Sequence, residues 1–113
     1  MKYKQFEIWL ADLNPRFGTE SGKTRPILIV QSDLLNKTHP STIICPITSN
    51  VKKGVEVLRV NINKNIGGLK KESSIMIDQV RSIDNKRFVK KLGNLPNNLR
   101  EKVIENLKIV MDL

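Results

Sequence analysis

Histidine and cysteine each occur once in this 113-residue chain, and that scarcity excludes several chemistries together. A lone cysteine, Cys45, permits no internal disulfide and no cysteine cluster around a metal. It stands in the run Thr42-Ile43-Ile44-Cys45, where a packed small hydrophobe is expected rather than a nucleophile. The single histidine, His39, precedes Pro40 in a loop and reads as a surface residue, so a catalytic pair of imidazoles is excluded. No spacing of His, Cys, Asp and Glu suits a metal, and no Ser-His-Asp arrangement has local support. Neither a metal nor a cofactor is expected. Apolar runs of membrane-spanning length are lacking, and Met1-Lys2-Tyr3-Lys4-Gln5 leads into alternating residues rather than a signal-peptide stretch. A soluble, cytoplasmic protein with no membrane partner is expected. Aromatic residues make up 4%, so platforms for stacking bases must be few. Carboxylates are also sparse: 11 Asp+Glu against 20 Lys+Arg gives a net charge of +9 and a pI near 9.9. That excess suits a polyanionic partner, although a solubilising surface would look the same and charge alone does not separate RNA from DNA or an acidic protein tail.

The length corresponds to one domain, residues 1–113, and 39% apolar residues suffice for one thin core that self-association would help. Gln5 to Leu13 alternates as a half-buried strand does, with Phe6, Ile8 and Leu10 opposite Glu7, Trp9 and Ala11. Asn14-Pro15 ends it, and a long loop rich in glycine and charge runs to Pro26. Ile27–Val30 is predicted as a buried strand, and Ser32–Asn36 as a capped helical turn. Thr42–Thr48 is a further strand in which Pro46 marks an edge or a bulge. Val55–Ile62 alternates again, and Gly67-Gly68 forms a turn. Ser73–Ile83 reads as one long strand, Asp84–Arg87 as a turn and Phe88–Leu92 as a short strand.

The tail changes period. Pro96 suits a first helical turn, and Asn98-x-x-Glu101 has the form of a capping box. Leu99, Val103, Leu107 and Val110 recur at helical spacing, with Ile104 and Met111 widening the stripe and Arg100, Lys102 and Lys108 on the polar face. The expected fold is mainly β with a C-terminal α-helix: a small barrel-like sheet closed at one end by that helix.

One segment carries chemistry. In Gly18-Thr19-Glu20-Ser21-Gly22-Lys23-Thr24-Arg25-Pro26 the glycines allow close backbone approach, and Lys23 and Arg25 offer donors to phosphate oxygens. The spacing is not that of a nucleotide-hydrolase phosphate loop, and a strand rather than a helix follows.

Four ordered blocks carry a family resemblance: Glu7-Ile8-Trp9-Leu10-Ala11-Asp12-Leu13-Asn14-Pro15, Gly22-Lys23-Thr24-Arg25-Pro26-Ile27-Leu28-Ile29-Val30, Cys45-Pro46-Ile47-Thr48-Ser49, and Asp78-Gln79-Val80-Arg81-Ser82-Ile83-Asp84. Together they resemble the MazF/PemK toxins over essentially the whole chain. One departure is that Phe6 stands where that family commonly has a turn glycine, which is expected to alter the entry of the chain into the first strand.

The resemblance implies an SH3-like barrel of the CcdB/MazF type. It also implies a homodimeric, metal-independent endoribonuclease that cuts single-stranded RNA by attack of the 2′-hydroxyl, leaving a 2′,3′-cyclic phosphate and a 5′-hydroxyl. The implied partner is an antitoxin whose acidic segment competes for the RNA groove. Motif matches carry Arg25 and Thr48 over as catalytic residues. Arg25 suits charge stabilisation by its fork of donors, and is a poor base because its pKa of about 12 or more leaves almost none neutral. Glu20 is the carboxylate of the same loop and a candidate base or orienter. Phe17, Thr19, Lys23, Ser49, Gln79 and Arg81 are the candidate RNA contacts; Trp9 is expected in the core or an interface. Two other readings compete: a CcdB-type topoisomerase poison, which would not need Arg25 and Thr48 together, and a catalytically silent RNA-binding module.

Overall fold

The computed structural model describes residues 3–15, 17–20, 22–51, 54 and 58–113. Among the described residues there are seven strands: β1 (Glu7–Asp12), β2 (Thr24–Ile29), β3 (Ser41–Thr48), β4 (Arg59–Ile62), β5 (Ser73–Met76), β6 (Arg81–Asp84) and β7 (Phe88–Asn94). A short helix α1 (Asp33–Asn36) follows β2, and a long one, α2 (Asn97–Met111), ends the chain. The ladder runs β4-β5-β3-β2-β1-β7 with β6 added to β3, and every pairing is antiparallel. The mainly-β barrel with a terminal helix is therefore as expected.

β3 organises this sheet because it is long enough to hold two successive neighbours on one edge. Its first half, Ser41–Ile44, pairs with β6, and its end, Ile47–Thr48, pairs with β5. Between those pairings Cys45 and Pro46 have no strand partner on that edge, and the 3₁₀ turn Ile77–Gln79 bridges the gap between β5 and β6. Pro46 thus lies in a central strand rather than an outer one, at the position where a missing N–H interrupts least. The same turn corrects the expected single strand from Ser73 to Ile83, which is two strands serving two parts of β3. Of the strand expected from Val55, the structure shows Arg59–Ile62; Val55, Glu56 and Val57 lie outside the described residues.

Both faces of the central strands are buried. Phe6, Ile8, Leu28, Cys45, Ile47, Ile62 and Ile75 form the barrel interior, against which Leu99, Val103, Leu107 and Val110 of α2 pack. Trp9, Ala11, Ile27, Ile29, Ile44, Ile83 and Phe88 form a second cluster on the other face. Trp9 is in this core: its ring meets Tyr3 edge-on at 5.0 Å and Phe88 at 5.5 Å. Its Nε1–H donates to Glu7 Oε1 at 3.0 Å, while Lys91 Nζ lies 2.9 Å from Glu7 Oε2. Burial by itself would raise the Glu7 carboxyl, but Trp9, Lys91 and the Lys4 N–H outweigh it and hold it below the usual value. Cys45 is wholly buried, and desolvation, with a smaller contribution from Asp78, pushes its thiol up to about 12, as a packed hydrophobe would show.

The helix departs from expectation in two respects. Pro96 is its N-cap residue and no side chain caps it, so Asn98 and Glu101 lie inside the helix rather than forming a box. The apolar stripe is also narrower, because Ile104 and Met111 are 40% and 52% exposed. Arg100 is not simply solvated: its Nε donates to the Leu95 carbonyl at 3.1 Å and its guanidinium sits 5.2 Å from the Phe6 ring centre.

Phe6 itself has φ +68°, the left-handed conformation that a glycine adopts without penalty. The chain entry is held by Phe6 N donating to Ile29 O at 2.7 Å and Phe6 O accepting from Leu95 N at 2.8 Å. The strain is offset by burial of the ring in the barrel interior. Barrel closure relies on glycine too. A Cβ on Gly68, at φ +82°, would lie 2.1 Å from the Leu92 carbonyl oxygen, so the bend after β4 rests directly on β7.

Candidate active site

Adjacent strands carry the two principal candidates to one cleft. Ile29 faces Ile44, Leu28 faces Cys45 and Ile27 faces Pro46 across β2 and β3. The β2–β3 pairing ends there; Arg25 and Thr48 lie two residues beyond it on their strands, Arg25 paired with Ala11 of β1 and Thr48 with Ser74 of β5, and both line one cleft. By alternation the pair lies on the face of Ile27, Ile29 and Ile44. Arg25 is thus a strand residue, since β2 begins at Thr24 and not, as expected, at Ile27. A strand fixes the backbone beneath the guanidinium more firmly than a loop would.

Local bonds orient both side chains. Arg25 Nε donates to the Gly22 carbonyl at 2.9 Å, which turns the guanidinium plane relative to the strand. Thr48 Oγ1 accepts the Asn50 N–H at 3.1 Å, leaving its own proton to donate elsewhere. Lys23, at φ +66°, is fixed through its backbone: its N–H donates to Asn14 Oδ1 at 2.8 Å and its carbonyl accepts from Leu13 N at 2.9 Å. From the far side, Arg87 Nη1 donates to the Asp12 carbonyl at 3.0 Å and also to that of Asn14. Arg87 is a determinant that the sequence showed only as a turn residue.

The loop Phe17–Glu20 approaches a different part of the same face. Gln79 Nε2 donates to the Thr19 carbonyl at 3.3 Å, and Arg81 Nη1 lies 3.9 Å from Glu20 Oε2. Arg81 is paired with Ile44 in the β6–β3 ladder, so its side chain shares the face of Thr48 and Arg25. Glu20 is therefore engaged with Arg81 in this structure, while Phe17, 67% exposed, projects to solvent. Ser21, in the same loop, falls outside the described residues.

A cleft of about 620 Å³ opens beside the sheet. Its floor is aliphatic, from Leu10, Pro26, Ile47, Leu69 and Leu92, and Lys23, Ser49, Arg25 and Thr48 border it. Arg25 and Thr48 both line this cleft, so the two candidates share one cavity wall. Lys70, Lys71 and Lys90 also border the cleft and were missed from sequence. The signal available was the lysine pair Lys70-Lys71, one residue after the Gly67-Gly68 bend.

A small antiparallel barrel with one terminal helix and a basic, strand-borne site matches a known class. The chain belongs to the family described as PemK-like, MazF-like toxins of type II toxin–antitoxin systems, whose model matches residues 4–111. It is 34% identical over 113 residues to the endoribonuclease EndoA of Bacillus subtilis, covering 100% of this chain and 97% of that protein. Its fold superposes on MazF from Deinococcus radiodurans with a TM-score of 0.86 at 22% identity, covering 100% and 99% of the two chains. It also superposes on a mycobacterial endoribonuclease solved with its cognate antitoxin, with a TM-score of 0.77 at 14% identity, covering 99% and 95%.

Proposed function

We propose that this chain is the endoribonuclease toxin of its toxin–antitoxin pair and that Arg25 and Thr48 act together on the scissile phosphate of single-stranded RNA. The observation that supports this reading is that Arg25 and Thr48, on the adjacent strands β2 and β3, line one cleft together with Lys23, Lys70, Lys71 and Lys90. Attack by a 2′-hydroxyl on the adjacent phosphorus builds charge on the non-bridging oxygens and requires a proton for the departing 5′-oxygen. The Arg25 guanidinium meets the first need with a permanently charged planar fork. The Thr48 hydroxyl donates to a phosphate oxygen or orients the nucleophile. Glu20 is the candidate proton acceptor, and it must leave Arg81 to serve. The products are a 2′,3′-cyclic phosphate and a 5′-hydroxyl, with no metal or cofactor taking part.

Thr19, Gln79, Arg81 and Phe17 are proposed to contact bases and phosphates flanking the cut, with Lys23 and Ser49 continuing the path along the shared cleft. The family pairs its toxins with antitoxins, and an acidic antitoxin segment is proposed to compete for this basic groove. A cytoplasmic homodimer is the proposed working form. Incubating the purified protein with long single-stranded RNA in EDTA and mapping the new ends tests the reaction. Discrete cuts with 5′-hydroxyl and cyclic-phosphate ends support it; 5′-phosphate ends, or intact RNA from a folded protein, refute it.

A further inference from the structure

Arg81 holds an unspent interaction. Its Nη1 is buried without a hydrogen-bond partner, and the facing Glu20 oxygen, at 3.9 Å, is beyond hydrogen-bond reach. A buried guanidinium nitrogen without an acceptor is costly, and an oxyanion is the partner its geometry fits best. Its backbone is fixed, because Arg81 opens β6 opposite Ile44. Ile44 and Thr48 lie on the same face of β3, four residues or about 13 Å apart. A neighbouring linkage of an RNA strand whose scissile phosphate sits at Arg25 and Thr48 falls within reach of Arg81. Glu20 occupies that approach through a half-exposed, loosely engaged carboxylate.

We infer that Arg81 is a second phosphate-binding residue and that Glu20 is its resident surrogate anion, displaced when a flanking RNA phosphate arrives. This rests on the reading of the chain as an RNA-cutting enzyme. The exchange gives Arg81 a positioning role: it fixes the strand beside the scissile linkage and frees Glu20 from its ion pair. The Thr19–Gln79 hydrogen bond holds the loop beside Arg81. The buried orphan donor distinguishes this arrangement from an ordinary surface ion pair, in which each group is hydrated and little is gained by exchange.

The test compares a short RNA oligonucleotide containing one cleavage site with versions carrying a neutral methylphosphonate at each linkage flanking the cut in turn. At one of these positions the wild type is expected to show KM raised about tenfold or more, as loss of a charge-assisted contact implies. Arg81→Gln is expected to cut that modified RNA and the unmodified RNA with equal KM, and Arg81→Lys to recover part of the discrimination. Glu20→Gln is expected to lower KM for unmodified RNA by removing the competing anion, whatever happens to kcat. Wild-type cutting with the same KM at every position, or discrimination that persists in Arg81→Gln, overturns the assignment. Loss of folding by Arg81→Gln would lower cutting of all substrates alike and leaves the wild-type comparison and Glu20→Gln to decide. Failure of the wild type to cut unmodified RNA would instead refute the nuclease reading on which the inference rests.

Discussion

Replacing Phe6 by glycine and by alanine separates two contributions that the fold combines at one position. The ring is 8% exposed within the barrel interior and carries the Arg100 guanidinium at 5.2 Å. Truncating a buried phenylalanine costs about 3–5 kcal/mol, and losing an exposed-to-partly-buried cation–π contact about 0.5–1 kcal/mol more. Both variants incur these losses. They differ in the backbone, because φ is +68°. Alanine retains a left-handed strain of about 1–2 kcal/mol, whereas glycine has none and instead has about 0.5–1 kcal/mol greater entropy to lose on folding. Phe6→Gly is therefore expected to be more stable than Phe6→Ala by roughly 0.5–1 kcal/mol, reversing the usual order of these residues. Urea unfolding followed by the fluorescence of Trp9, the one tryptophan of the chain, measures the difference. Equal stabilities, or a more stable alanine variant, would refute the claim that Phe6 occupies a glycine-like position.

Gly68→Ala should destabilise the protein by about 2 kcal/mol or more, because its Cβ would meet the Leu92 backbone at 2.1 Å; thermal unfolding reports it. The Glu7 carboxyl is held low, so its contribution to stability is complete above about pH 4.5 and is lost as pH falls through its depressed folded value. Glu7→Gln should therefore flatten the acid limb of stability against pH, measured by urea midpoints at successive pH values. Thr48→Val should lower kcat about tenfold or more while leaving the barrel folded, seen by single-turnover cleavage and circular dichroism.

The architecture was legible where side-chain period alone decides it. β1, β2, the first half of β3 and α2 follow from alternation or helical spacing because each buries a regular set of residues. Ser73–Ile83 misled because apolar residues recur on both sides of the 3₁₀ turn, at Ile75, Ile77, Val80 and Ile83; the break depends on β3 changing neighbours, a tertiary fact. The capping pattern at Asn98 lost to Pro96, whose fixed φ already suits the residue at which the helix begins. Within the site, Arg25 and Thr48 were identified through family motifs, while the cleft that they share needed the fold. The Glu20–Arg81 contact and the lysine-bordered cleft were not legible, since each joins segments distant in sequence through long, flexible side chains.

The central claim is that Arg25 and Thr48 act as one site, and a double-mutant cycle on single-turnover RNA cleavage tests it most directly. Arg25→Ala is expected to lower the rate by about 10²–10³ and Thr48→Val by about tenfold or more. If both bear on the same phosphate, the double variant should be much less impaired than the product of the two effects, approaching Arg25→Ala alone. Independent, multiplicative losses, or near-normal cleavage by folded Arg25→Ala, would contradict the account.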